Sequence, residues 1–407
     1  MTEAKPGLLA HPIAVAWISS GSTGAQNYDE FATEAEIEAI IARHPDSVLA
    51  IEMPQCAPEA RAAQRSFAGA LPAAAEHLHR LQQGGQLRRA EDVVAACRIT
   101  SPASTTYGLL AMVDTDQISA SPEEPGRVIR NEDVFPAKVA QRCALIRTLG
   151  HLASSVLLVQ SAGGPELEDR LAEVIATCGE PLVSDTDQLG QVHDVWSLPA
   201  GPDRDGLLEL AGAGELIVAD GNHRTLAAQE AGLDRFLAMI TTPGSVHIRA
   251  YNRLVHRLGR PAETFLGQLR DAGSEVEPWV GEVSVPVLPG TVALYLPHGQ
   301  AYAVRLPAVA GGSVVDRLDH SIVERLFADV LGHGPDDEEI SYVGGDYPAD
   351  WLTGEVDAGR AEAAVLISPV SVEDFVAVNL ARLKMPRKST WFTPKARAGL
   401  VLAQLTA

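Results

Sequence analysis

The polar cluster Asp220-Gly221-Asn222-His223-Arg224 is the part of the sequence best suited to chemistry. It follows the apolar residues 217–219 and precedes the apolar residues 226–228. This pattern predicts a strand, a tight turn at Gly221 and a helix that begins at the cluster. The N–H groups at a helix N-terminus bind anions, and an arginine beside them favours phosphate. The predicted phosphate-binding residues are Gly221, Asn222, His223, Arg224 and Thr225.

A simpler interpretation of the cluster is structural. Asp220 or Asn222 could cap the helix, and Arg224 could pair with a surface carboxylate. However, the cluster holds more polar side chains than one cap requires, and sites in α/β folds favour the carboxyl ends of strands.

Several segments resemble a family of unknown function, the domain-of-unknown-function family number 1015. The cluster is similar to the DGHHR motif of this family, which is itself similar to the ParB and sulfiredoxin superfamily. Residues 128–147 are similar to the family's "RHE…K…R…LL" block, and residues 385–401 to its "MPPKSTYFYPK…GL" ending. Weaker matches lie at residues 28–29 and 367–369. The resemblance therefore spans nearly the whole chain.

The chain departs from the family pattern at three positions. Asn222 replaces the first histidine of the His-His pair, Asn131 replaces the histidine of Arg-His-Glu, and Arg387 replaces a proline. Asparagine keeps hydrogen bonding but has no titratable proton. Whether these replacements change the family activity stays open at this point.

The resemblance implies catalytic roles for Glu132, His223 and Asp220. In ParB-like free serine kinases a glutamate ahead of the phosphate turn activates the substrate hydroxyl, and Glu132 is similar to it in position. Lys138 and Arg142 follow Glu132 and would keep its carboxylate ionised. Asp220 would orient His223 or bind Mg²⁺, and His223 would donate to a phosphate oxygen. A purely structural role for Glu132 at a helix start also stays open.

The remaining predicted contacts come from both ends of the chain. Arg130 joins the phosphate-binding set, and Tyr28 and Asp29 are candidates for binding the substrate. Basic residues between 384 and 395 could form a loop that closes over the ligand, or a solvated basic surface. The residues assigned to this lid are Lys388, Ser389, Thr390 and Lys395.

Composition limits the classes of partner. Among 407 residues, 53 are acidic and 32 are basic, giving a net charge of −21. Such a surface repels nucleic acid and anionic membranes. We find no signal-peptide pattern and no apolar run long enough to span a bilayer, so we expect a cytoplasmic protein. The oligomeric state, including a homo-oligomer, is left open.

The pattern of helices and strands predicts a mixed α/β fold with a ParB/sulfiredoxin-like core. We expect an N-terminal α/β region at residues 1–125, a phosphate-binding core at 126–258 and a C-terminal α+β region at 259–407. Among the shorter elements, residues 33–44 predict a helix, and residues 47–51 and 283–287 predict strands.

These observations favour a small-molecule phosphotransferase. It would use ATP or ADP with Mg²⁺ to phosphorylate a hydroxyl-bearing amino acid such as serine. The alternative is a ParB-like regulatory protein that binds or hydrolyses nucleotide without a small acceptor. A sulfiredoxin-like activity is disfavoured because it requires a cysteine in the turn, where this chain has Asn222.

Overall fold

The computed structural model describes residues 8–21, 27–119, 123, 126–162, 165–334 and 337–405. Helices and strands are interspersed along the chain, which confirms the predicted mixed α/β class. Among the described residues, no helix is both long and apolar enough to cross a membrane.

The strands, in chain order, are β1 (Ala10–His11), β2 (Ile13–Ser19), β3 (Leu87–Thr100), β4 (Thr105–Asp114), β5 (Ile118–Ser119), β6 (Val128–Arg130), β7 (His151–Leu152), β8 (Val156–Gln160), β9 (Val183–Thr186), β10 (Val192–Leu198), β11 (Leu216–Asp220), β12 (Arg235–Thr241), β13 (His247–Arg249), β14 (Tyr251–Val255), β15 (Glu275–Pro278), β16 (Thr291–Leu296), β17 (Gln300–Arg305), β18 (Ile340–Gly344), β19 (Ala363–Leu366), β20 (Trp391–Thr393) and β21 (Val401–Gln404). The α-helices are α1 (Glu34–Arg43), α2 (Leu49–Glu52), α3 (Pro58–Ala62), α4 (Phe67–Gln83), α5 (Pro136–Leu149), α6 (Glu166–Thr177), α7 (Pro202–Ala211), α8 (Asn222–Glu230), α9 (Ala262–Asp271), α10 (Asp319–Leu326), α11 (Ala349–Asp357) and α12 (Val372–Leu380).

The chain divides into two units rather than the three predicted regions. The first unit comprises Met1–Val246 and Pro394–Ala407, and the second comprises His247–Thr393. The predicted boundary between residues 125 and 126 falls inside the first unit because strands from both sides of it share one sheet. For example, β4 pairs with β12, and β3 pairs with β10. Proline and glycine residues mark local breaks in secondary structure, so they could not reveal that strands far apart in the sequence pair with each other.

The sheet of the first unit is mixed and follows the order β5-β6-β11-β8-β12-β4-β3-β2-β21-β7. Within it, β6 and β11 are parallel neighbours, with Arg130 paired to Val218. The carboxyl ends of the two strands therefore lie side by side. The pairing of β11 with β8 is irregular between Val218 and Asp220. Such irregularities change the direction of the following side chain, here at the start of the polar cluster.

One short element of the first unit differs from the prediction. Residues 33–44 form the predicted helix, α1, which begins with a capping box made by Thr33 and Glu36. Residues 47–51 do not form a strand, since Leu49–Glu52 is the helix α2. The side chains of Val48, Leu49, Ala50 and Ile51 are all buried, so their apolar run has no periodicity that separates helix from strand.

The second unit contains an antiparallel sheet in the order β15-β17-β16-β19-β14-β18. Helices α9 and α10 contribute to one apolar core of this unit, and α11 contributes to another. A separate two-stranded ribbon pairs β13 with β20. The predicted strand at residues 283–287 is wrong: Pro286 interrupts this stretch, which pairs with no strand among the described residues.

Two glycines of the second unit should respond oppositely to substitution by alanine. A side chain on Gly344 would collide with the ring of Trp391, whereas Gly354 lies within α11 with no atom of the described residues within 4 Å of its Cβ position. We expect Gly344→Ala to lower the free energy of unfolding by about 1–3 kcal/mol. Gly354→Ala should raise it by roughly 0.5–1 kcal/mol. Urea denaturation would measure both, and an unchanged Gly344→Ala protein would contradict the packing of Trp391.

Candidate functional site

The polar cluster adopts the predicted strand, turn and helix. Strand β11 ends at Asp220, Gly221 has a φ of 100°, and α8 begins at Asn222. The N–H and hydroxyl groups of Thr225 both donate to the carbonyl oxygen of Gly221, at 2.9 and 3.0 Å. This is the first hydrogen bond of the helix, so the N–H groups of its first turn that precede it have no acceptor within the helix.

Helix capping does not explain the side chains of the cluster. The residue at the cap position is Gly221, and none of the described side chains caps α8. Thr225 is fully buried, and its hydroxyl closes the turn. The simpler interpretation of Asp220 or Asn222 as a cap is therefore wrong.

Arg224 is a buried cation with unused donors. Its side chain is 8% exposed, and one Nη donates to Asp220 at 2.5 Å. Its Nε and other Nη atoms are buried and have no hydrogen-bond partner within the described part of the chain. Because buried donors without partners cost free energy, this arrangement favours an anionic ligand.

Lys395 supplies a second buried cation beside Asp220. Its Nζ lies 3.0 Å from the carboxylate, and its side chain is 9% exposed. The segment that follows is anchored in the first unit: Asn27 donates to the carbonyl of Ala396, and the N–H of Gly399 donates to Ala153. The C-terminal segment thereby brings Lys395 to the cluster, and its role in a lid stays a prediction.

The charges of this site support one another. Burial disfavours the charged forms of Arg224 and Lys395, but Asp220 and Asp29 outweigh it and raise the pKa of both side chains. Both groups therefore remain cationic at neutral pH. The electrostatic influence of Asp29 also shows that the predicted Tyr28-Asp29 pair lies close to the cluster.

Tyr28 is fixed by a buried ion pair that sequence analysis missed. The guanidinium of Arg142 lies 4.2 Å from the ring centroid of Tyr28 and donates to Glu52 at 2.8 Å. Glu52 also accepts from Ser154 at 3.1 Å. Burial raises the pKa of the Tyr28 phenol, although Arg142 opposes this effect. The sequence does mark Glu52 in one way: it is a single charged residue at the end of an apolar run.

A small cavity adjoins this ion pair. It has a volume of about 30 Å³, and its lining includes Glu52, Arg142, Ser154 and Arg224. This volume suffices for ordered water but is far too small for a nucleotide. A nucleotide at the cluster must therefore lie outside this cavity.

The end of β6 carries the second predicted block. Asn131 is buried and accepts a hydrogen bond from the amide of Asn222. The two asparagines that replace family histidines are thus direct partners. Arg130 and Glu132, on either side of Asn131, are half-buried. The amide oxygen of Asn222 is buried without a hydrogen-bond partner in the described residues.

His223 links the cluster to the start of α5. The N–H of Phe135 donates to Nε2 of His223 at 3.1 Å, and the two rings stack with centroids 5.9 Å apart. Since a backbone N–H can only donate, Nε2 acts as an acceptor and a neutral ring carries its proton on Nδ1. Only Nδ1 can then donate to a phosphate oxygen.

The other predicted lid residues lie in the second unit. Arg253 donates to the carbonyl of Lys388 at 3.1 Å, and the Lys388 ammonium lies 5.5 Å from the ring centroid of Tyr251. Ser389 is fully buried and donates to the carbonyl of Pro386 at 2.7 Å, while Thr390 is half-buried. These contacts fix the loop within its own unit, and a lid role for Lys388, Ser389 and Thr390 stays a prediction.

Comparison with family models gives the chain a classification. A model described as "Protein of unknown function (DUF1015)" matches residues 22–321, more than half of the sequence. The chain belongs to the DUF1015 family. The match includes Tyr28, Glu132 and the 220–224 cluster, and it ends before Lys395. The family resemblance inferred from the sequence is thereby confirmed, whereas membership of the ParB and sulfiredoxin superfamily is not shown.

Other comparisons add little to this classification. No curated protein matches this DUF1015 chain. A free serine kinase in complex with AMP is 12% identical, with 72% of this chain and 92% of that chain covered and a TM-score of 0.39. A conserved hypothetical protein from Pyrococcus furiosus is 12% identical, with 72% and 95% covered and a TM-score of 0.37. SbnI with C-terminal truncation from Staphylococcus aureus is 12% identical, with 72% and 87% covered and a TM-score of 0.39. At these scores the likeness carries no inference about activity.

Gly221→Ala should disrupt the cluster of this DUF1015 protein. Alanine disfavours a φ of 100°, and its Cβ would lie 3.0 Å from Nε of Arg224. We expect a loss of about 1–3 kcal/mol in the free energy of unfolding, together with weaker binding of inorganic phosphate. Urea denaturation and calorimetric titration would measure the two effects. Gly232→Ala is the control, since Gly232 has a similar φ of 78° but, in the described part of the chain, no atom within 4 Å of its Cβ position. Equal phosphate affinity in the two variants would contradict a role for the Gly221 turn.

Proposed function

We propose that this protein transfers a phosphoryl group from ATP or ADP to the hydroxyl group of a small amino acid such as serine. The observation that carries the proposal is the buried guanidinium of Arg224, which keeps two donor atoms without partners at the N-terminal turn of α8. The donors of this guanidinium match phosphate oxygens in charge and geometry.

Lys395 strengthens the case for a polyphosphate rather than a single carboxylate ligand. The site offers two buried cations, Arg224 and Lys395, on opposite oxygens of Asp220. The N-terminal turn of α8 adds the positive end of a helix dipole. Together these groups offer two cationic side chains and helix N–H groups to the adjacent phosphates of a nucleotide.

Glu132 is the proposed general base. It lies two residues after the end of β6, whose parallel pairing with β11 places the ends of both strands at the same edge of the sheet. In the proposed reaction, its carboxylate removes the proton of the acceptor hydroxyl. The acceptor oxygen then bonds to the terminal phosphorus, while the bond from that phosphorus to the bridging oxygen breaks and releases the shortened nucleotide.

Tyr28 and Asp29 are proposed to hold the acceptor. Both lie within electrostatic range of Arg224, and Arg142 and Glu52 fix the position of Tyr28. An Asp29 carboxylate could bind the ammonium group of an amino acid. In this assignment, the buried ion pair of Arg142 and Glu52 holds the acceptor-binding residues in place.

The Asp220 carboxylate fits Mg²⁺ when phosphates are present. Mg²⁺ is commonly held by one or two carboxylates together with substrate phosphates, and Asp220 supplies a carboxylate oxygen. A bound Mg²⁺ would neutralise charge on the transferring phosphoryl group. Asp220 is the proposed ligand because it lies at the end of β11, directly before the phosphate turn.

Acceptor phosphorylation tests the proposal directly. ATP, ADP and CTP would each be incubated with Mg²⁺, the protein and one hydroxyl amino acid, and the products followed by phosphorus NMR. We expect an O-phospho amino acid with at least one pair. Glu132→Gln should lower turnover by roughly 10²–10⁴-fold while nucleotide binding is kept, because only the base is lost. Arg224→Ala should weaken nucleotide binding itself.

Matched controls separate these effects from general damage. Glu209→Gln and Arg147→Ala make the same changes at exposed positions of α7 and α5 and should retain activity. Nucleotide binding without acceptor-dependent turnover would overturn the kinase and leave a nucleotide-binding regulatory protein. Full activity in Glu132→Gln would overturn the assignment of the base.

A further inference from the structure

The carboxylate of Asp220 already contacts both of the cationic side chains that would bind the proposed phosphate. One oxygen accepts from Arg224 at 2.5 Å, and the other lies 3.0 Å from Nζ of Lys395. The three side chains are between 8% and 17% exposed, so water screens the charges little. An incoming phosphate would therefore have to compete with the Asp220 carboxylate for these two cations.

Arg224 and Lys395 differ in how well each can bind a phosphate ligand while it contacts Asp220. Arg224 retains two buried donor atoms without partners, so it can hold Asp220 and a ligand together. Lys395 has a compact ammonium charge, and its contact with Asp220 would be weakened by a phosphate that competes for it. Asp220 therefore opposes phosphate at Lys395 through like charge, and Lys395 opposes a metal ion at Asp220 for the same reason.

We infer that Asp220 and Lys395 form an internal ion pair that opens by exchange, in which an incoming polyphosphate takes Lys395 and a divalent cation takes Asp220. This inference rests on the proposed phosphate site. Each ligand replaces the partner that the other removes, so neither charge is left buried alone. The two ligands should consequently bind together better than either binds alone, and the coupling must be reciprocal.

The surrounding acidic groups agree with a metal site that needs phosphate. Within the described residues, the three-residue group suited to a metal is Glu34, Glu38 and Cys56, and Arg61 already bridges its two glutamates. No such group includes Asp220 in that part of the chain. Asp220 would thus depend on phosphate oxygens to complete the coordination of Mg²⁺.

The first test removes the internal anion and uses pyrophosphate as the probe. Titration calorimetry on the full chain, with a chelator present to exclude metals, would compare Asp220→Asn with the unmodified protein. We expect Asp220→Asn to bind pyrophosphate about tenfold more tightly, because the competing charge-assisted contact is gone. Asp116→Asn makes the same change at an exposed position and should leave the affinity unchanged.

The second test removes the internal cation and uses Mn²⁺ alone as the probe for Mg²⁺. Electron paramagnetic resonance would measure free Mn²⁺ in the absence of any phosphate. We expect Lys395→Met to bind Mn²⁺ about tenfold more tightly than the unmodified protein, because the ammonium that competes for one oxygen of Asp220 is gone while Arg224 still holds the other. Arg88→Met removes a positive charge from an exposed position of β3 and should have no such effect.

The two tests have clear contrary outcomes. A folded Asp220→Asn protein that binds pyrophosphate no more tightly would overturn the exchange, as would unchanged Mn²⁺ affinity in Lys395→Met. If circular dichroism shows that Asp220→Asn does not fold, the Lys395→Met result decides alone. Neither test uses a nucleotide or an acceptor, so a failed kinase assay with a positive exchange result would reject only the proposed reaction.

Discussion

The contact of one carboxylate with two buried cations organises the site. Asp220 pairs with Arg224 from the same turn and with Lys395 from the far end of the chain. Burying any of these charges alone would cost several kcal/mol, so each depends on the others. The C-terminal segment that carries Lys395 is anchored to the rest of the first unit through Ala396, Gly399 and the pairing of β21 with β2.

The fold brings together residues that are distant in the sequence. Parallel pairing of β6 with β11 aligns the ends of two strands, and the Asn131 to Asn222 hydrogen bond joins the residues that follow them. The stacked rings of Phe135 and His223 connect the starts of α5 and α8. A site built on the ends of packed elements holds its ligand groups more rigidly than one built on a free loop.

Local sequence patterns predicted the strand, turn and helix at the centre of this site, but not the contacts that hold them in place. The strand, the glycine turn and the helix at 216–230 follow from apolar runs and one residue that tolerates a positive φ. Glu52 was missed because the four apolar residues before it fit a strand and a helix equally well. The Asp220 partner of Lys395 was also not predicted, because sequence spacing does not report contacts across 175 residues of chain. The division into two units was not predicted for the same reason, because it depends on pairing between strands that are far apart in the sequence.

A crystal structure with ADP and Mg²⁺ would test the phosphate site most directly. We expect terminal phosphate oxygens at hydrogen-bond distance, about 2.7–3.1 Å, from the guanidinium of Arg224 and from Nζ of Lys395. We also expect that Asp220 no longer contacts Lys395. A nucleotide bound elsewhere, with the Asp220 to Lys395 contact intact, would contradict the phosphate site proposed at Arg224 and Lys395.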